Sequence, residues 1–165
     1  MHVEVAVPDA LQKVQAARTS IYSEHAVSAI PGKSRRSVLA RAGSQCERCG
    51  LSSALELHHR LYRSRGGSHD VANLVALCSI TVVDGQVTSI GGGGHSGCHG
   101  AAHGGRHAEE SGWSIRTGGD PLMIPVRDSQ GFWWLLRADG LKTCIPAQLA
   151  DEYRLLAGLL PVVID

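Results

Sequence analysis

Aromatic side chains are scarce in this sequence: three Trp, three Tyr and one Phe stand among 165 residues. A core so short of rings must be small. The 20 glycines point to many turns, a mix that suits a fold held by a metal staple. Long apolar runs are missing too, which excludes a membrane-spanning helix. The N-terminus lacks the apolar block of a signal peptide, so the expected location is cytoplasmic. That compartment keeps thiols reduced and excludes a disulfide framework. The five cysteines, Cys46, Cys49, Cys78, Cys98 and Cys144, therefore need another use. Strong charge of one sign is also absent, since the formal net charge is +1.

The distribution of charge says more than its sum. Between Pro31 and Arg65, eight basic residues face two acidic ones, a net of +6 that leaves −5 for the remainder. Such asymmetry suggests a local anion-binding face. Hydrophobic residues make up 43% of the chain, enough for one domain. We divide it into an N-terminal arm (1–33), a central unit (34–110) and a C-terminal extension (111–165).

In the arm, Val14, Ala17, Ile21 and Tyr22 have partial helical spacing, so a short helix or a partly disordered leader is expected. Ser34 is a candidate cap for a helix that turns Val38, Leu39 and Ala42 inward and ends at Gly43. Leu55–His59 and Asn73–Cys78 read as strands, and Asp84-Gly85 as a hairpin turn between short strands. Gly91–Gly94 reads as a linker, and a helix is expected over Gly97–His107. It places His99 and His103 on one face, four residues apart. In the extension, Leu122–Val126 and Phe132–Leu136 read as strands and Pro146–Leu160 as a helix. The fold class expected is α+β.

The chemistry lies in His58-His59, Asn73, Cys98-His99 and His103. Hydrolysing a phosphodiester needs a cation to stabilise negative charge and an oriented base to activate water. Neutral imidazole serves as ligand or as base. Adjacent strand residues point to opposite sides, so His58 and His59 divide into one ligand and one base. An asparagine carbonyl that accepts a hydrogen bond from one ring nitrogen would fix the base's tautomer. The C-x2-C pair Cys46/Cys49 invites a zinc reading, with buried apolar thiols as the bland alternative.

The stretch LELHHRLYRSRGGSHDVANLVALC followed by GCHGAAH resembles the HNH endonuclease motif of the ββα-metal fold. CERCG with the later Cys78 and Cys98 resembles its zinc-stapled subclass. The resemblance covers roughly Arg35 to His107. It implies His59 as general base and Asn73 as its orienter. It implies a divalent ion (Mg²⁺, Mn²⁺, Ni²⁺ or Zn²⁺) on His58, His99 and His103, and a structural Zn²⁺ on Cys46, Cys49, Cys78 and Cys98. His58 stands where many members carry aspartate. Nineteen residues separate Cys78 from Cys98 where such members usually have two; a flexible loop of that length closes at small entropic cost.

The implied function is metal-dependent DNA cleavage. A non-catalytic, zinc-stapled DNA-binding module assisting a larger complex is the alternative. Arg60, Arg63 and Arg65 follow the histidine pair and are candidate phosphate grips. Gly66-Gly67 permits a tight reversal that brings Asn73 beside His59. His69, His95 and His107 read as loop or surface histidines, with His95 near enough to Cys98 in sequence to replace a cysteine ligand. Cys144 reads as a packed thiol, and Trp113, Trp133 and Trp134 as core rather than base-stacking rings. GGDPLMIPV and GFWWLLRADG resemble the tails of small HNH proteins of tailed bacteriophages, which implies genome packaging with a terminase partner.

Overall fold

A computed structural model describes residues 29–52, 54–83, 86–90 and 96–159, with the backbone alone for 81–83 and 86–90. The elements are α1 (Gly32–Arg41), β1 (Leu55–His59), a 3-10 turn (Arg63–Arg65), β2 (Leu74–Cys78), β3 (Ile80–Val83), β4 (Gln86–Ile90), α2 (Gly97–Ala102) and α3 (Arg106–Glu110). β5 (Val126–Arg127), β6 (Trp133–Leu136), β7 (Lys142–Ile145) and α4 (Ala147–Leu156) follow. The fold is α+β, as expected. Among the described residues no helix is long and apolar enough to cross a membrane. The expected helix of the arm, the glycine linker, the Asp84-Gly85 turn itself and His95 lie outside the described residues.

Every residue of β2 is buried, because this strand is covered on both faces. Leu74 and Ala76 meet Val38 and Ala42 of the α1 side. Val75 and Leu77 join Ala102, Ala108 and Trp113 on the other. β1 pairs antiparallel to β2, with His58 opposite Val75 and His59 opposite Leu74. Side chains alternate along a strand, so His58 shares the face toward α2 and His59 the face toward α1.

Arg41 and Glu47 bind the segment after α1 to β2. The Arg41 guanidinium donates to both Glu47 oxygens at 2.8 and 2.9 Å, and to the carbonyls of Val71 and Leu74. Glu47 Oε2 accepts from the Ala76 N–H at 2.9 Å, and the Glu47 N–H donates to the Ala76 carbonyl at 2.8 Å. This buried pair is therefore fully hydrogen-bonded, the condition under which a buried charge is tolerated.

The extension packs on the same core. Leu61 bridges Ile115, and both cluster with Ile124. The Trp113 indole N–H donates to the Arg127 carbonyl at 2.8 Å. β5, β6 and β7 form a separate three-stranded antiparallel sheet, against which α4 sets Ala150 beside Trp133 and Ile145.

Several local expectations are corrected. α1 starts at Gly32, with Pro31 at the N-cap position and no side-chain cap, so Ser34 lies inside the first turn rather than capping it. The expected Gly97–His107 helix breaks in two at Gly104-Gly105, where Gly105 takes φ +63° and a residue with a Cβ would be strained. Leu122–Ile124 form a turn, leaving Val126–Arg127 as strand. Strand β7 is new, and Cys144 within it is exposed rather than packed.

Candidate metal centres

β1 and α2 bring three histidines together. His58 on β1, His99 inside α2 and His103 at its C-terminal end offer ligand atoms within 4.8 Å of one another. His58 Nε2 lies 3.0 Å from the Trp113 carbonyl. A carbonyl only accepts, so His58 carries its proton on Nε2 and keeps the lone pair on Nδ1. His99 Nδ1 donates to Glu56 Oε2 at 2.5 Å, which leaves Nε2 as its lone-pair nitrogen. Carboxylate and carbonyl partners of this kind fix the tautomer of a ligating histidine. Burial, then the neighbouring His99 and His103, push the His58 pKa down to about 3. It is thus neutral at pH 7, the form that binds a metal. The donor set fits a divalent ion with coordination positions left for water or substrate.

The second group is Cys46, Cys49, Cys78 and Cys98, whose sulfurs also lie within 4.8 Å of one another. Cys49 and Cys78 Sγ are 3.7 Å apart. Zinc–sulfur bonds of 2.3 Å in a tetrahedron place sulfurs roughly 3.8 Å apart, so the spacing fits. Between Cys78 and Cys98, β3 and β4 pair antiparallel, with Val83 opposite Gln86 and Ile80 opposite Ile90, so that the end of β4 lies beside the start of β3. Gly97 completes the return: at φ +61°, a Cβ there would lie 2.5 Å from the Ile80 carbonyl oxygen and 2.7 Å from that of Cys78. Only glycine lets α2 begin so close to the end of β2. Four crowded thiols cannot all ionise unaided. A hydrogen bond from Cys98 draws the Cys46 pKa down to about 4, while that of Cys98 rises, and burial pushes Cys49 up to about 11. A bound cation would relieve that conflict, because it would stabilise all four thiolates.

His59 stands apart from both groups. Its Nε2 lies 2.9 Å from His69 Nδ1, the ring centroids being 5.1 Å apart. Burial first, then His69 and Arg63, lower its pKa to about 4. Asn73 makes no hydrogen bond to it. Asn73 Oδ1 accepts from the Leu61 N–H at 2.7 Å, and its amide donates to the carbonyls of Leu61 and Ser68 at 3.0 and 2.9 Å. Asn73 thus clasps the loop after β1 instead of hydrogen-bonding the His59 ring. Gly67 lets that loop close, since a Cβ there would fall 1.8 Å from the Leu61 carbonyl oxygen.

The arginine expectation needs correction. Arg60 is fully buried, and its guanidinium donates to the carbonyls of Gly112 (2.8 Å), Ala72 (3.1 Å), Pro121 (3.0 Å) and Ile124. Committed to four carbonyls, it does not reach a phosphate. Arg63 donates to the Gly67 carbonyl, and Arg65 is exposed with its guanidinium 4.8 Å from the Tyr62 ring centre. With Arg41 also buried, the basic face is smaller than the charge count suggests.

Three partners escape a reading by motif: Glu56, His69 and the Trp113 carbonyl. Glu56 was detectable, because it lies two residues before His58 and so on the same strand face. His69 has no spacing signal, and a backbone carbonyl from the extension has none at all.

Residues 46–80 match the model of the HNH endonuclease family. The match covers the Cys46/Cys49 turn, β1 and β2, and stops before Cys98, His99 and His103, which the fold brings to the two groups. No curated protein and no solved structure matches the chain. The HNH family match points to nuclease activity, DNA binding and a divalent metal.

Proposed function

We propose that this chain is a metal-dependent DNA endonuclease, with His59 as general base, Asn73 holding the loop beside it, and a single ion on His58, His99 and His103. The observation that supports this most is the convergence of three histidine nitrogens, two of them oriented by Glu56 and the Trp113 carbonyl, one residue from His59. When bound there, a divalent ion supplies stabilisation of negative charge on the phosphate and on the leaving oxygen. His59, unprotonated at neutral pH, takes a proton from the attacking water. The four-cysteine group would hold a structural zinc that fixes β2 and α2, and so the histidines they carry. Arg63 and Arg65 remain the candidate phosphate contacts. A place in phage genome packaging beside terminase rests on the C-terminal resemblance alone.

The test is a supercoiled-plasmid assay on metal-stripped protein, with Mg²⁺, Mn²⁺, Ni²⁺ and Zn²⁺ returned separately. Cleavage is expected with at least one ion, and His59→Ala should slow it by roughly two to four orders of magnitude while the variant still folds and binds DNA. Binding without cleavage under every ion would favour the non-catalytic module instead.

A further inference from the structure

We propose that His69 is the positioning residue that sets the tautomer of His59, the task the motif assigns to Asn73. The inference rests on the reading of His59 as base. Two imidazole nitrogens 2.9 Å apart share one proton, and only two arrangements are possible. If His69 Nδ1–H donates, the His59 Nε2 lone pair is consumed and its proton sits on Nδ1. Neither nitrogen can then accept a proton from water. If His59 Nε2–H donates instead, Nδ1 keeps its lone pair and is the basic atom. A base at His59 therefore requires His69 as acceptor. When the proton from water arrives on Nδ1, the Nε2–H bond to His69 becomes charge-assisted and strengthens.

The surrounding loop is built to hold His69 in place. The Asn73 amide ties Ser68 and Leu61 together, immediately before His69 and after the Arg60 backbone. Ser68 Oγ donates to Asp70 Oδ2 at 2.6 Å and accepts from the Asp70 N–H at 3.2 Å, closing a turn around the histidine. Arg63 donates to the Gly67 carbonyl. Asn73 thus acts on the base at one remove, by fixing the segment from which His69 reaches it.

The experiment compares full-length, Zn²⁺-loaded wild type with His69→Ala and His69→Asn, using His59→Gln to assign the His59 ring signals. Long-range ¹H–¹⁵N correlation spectra report the tautomer, and plasmid cleavage with the most active ion reports kcat and KM. Wild type should show His59 protonated on Nε2. His69→Ala should lose that preference and drop kcat roughly ten- to a hundredfold at unchanged KM, the scale of a misplaced catalytic group. His69→Asn places an amide oxygen close to where Nδ1 stood, and should restore much of both. His59 protonated on Nδ1 in wild type overturns the inference, as does a His69→Ala variant with unchanged tautomer and kcat, or equal losses in the Ala and Asn variants. Full cleavage by His59→Gln would sink the base reading and this inference together. An inactive His59→Gln beside a fully active His69→Ala would sink this inference alone.

Discussion

Replacing Arg60 with Met separates a structural arginine from a DNA-contacting one. Its guanidinium serves four carbonyls, three of which belong to the 112–124 segment of the extension. Burial pushes its pKa down to about 9, so it is still protonated at pH 7. Methionine fills a similar volume and donates nothing. Each orphaned buried carbonyl costs about 1 kcal/mol at the low end, so the four together cost about 4. Relief of the buried charge offsets part of that, leaving a net loss of about 2–4 kcal/mol. For a domain of this size the melting midpoint should fall by roughly 4–16 °C. Thermal unfolding followed by circular dichroism measures the fall. A labelled-duplex titration over several salt concentrations, with metal withheld, should give a slope of log affinity against log salt like that of wild type. An unchanged midpoint with a slope reduced by about one would show a lost phosphate contact and refute the reasoning.

Two further outcomes follow from the metal groups. Freshly purified protein should hold one zinc that survives mild chelation, and Cys78→Ser, at the end of β2, should lose it together with cooperative unfolding; elemental analysis finding no zinc in wild type would remove the four-cysteine site. Glu56→Ala removes the acceptor of the His99 Nδ1–H and should weaken metal binding at the histidines by about 10- to 100-fold, measured by titration calorimetry. An unchanged Kd would mean that Glu56 does not orient the ligand.

Spacing and periodicity alone marked out much of this protein. β1 was legible to the residue from its resemblance to the motif, and β2 because five apolar residues in a row suit a strand buried on both faces. The candidate ligands could be named from sequence because their spacing, i to i+4 on a helix and C-x2-C in a turn, is a local property. What lies far apart in the chain was decided by tertiary structure. The hairpin of β3 and β4 closes the gap between Cys78 and Cys98, which spacing alone left open. Folding turned Arg60 from a surface charge into the tie between β1 and the extension, because unpaired carbonyls of the 112–124 segment converge where it emerges. It also set His69 rather than Asn73 against the His59 ring. Charge and motif depend on residue type, and sequence carries them. Which donor meets which acceptor depends on how loops close, and that is fixed only when backbone groups 52 to 64 residues away arrive and must be satisfied.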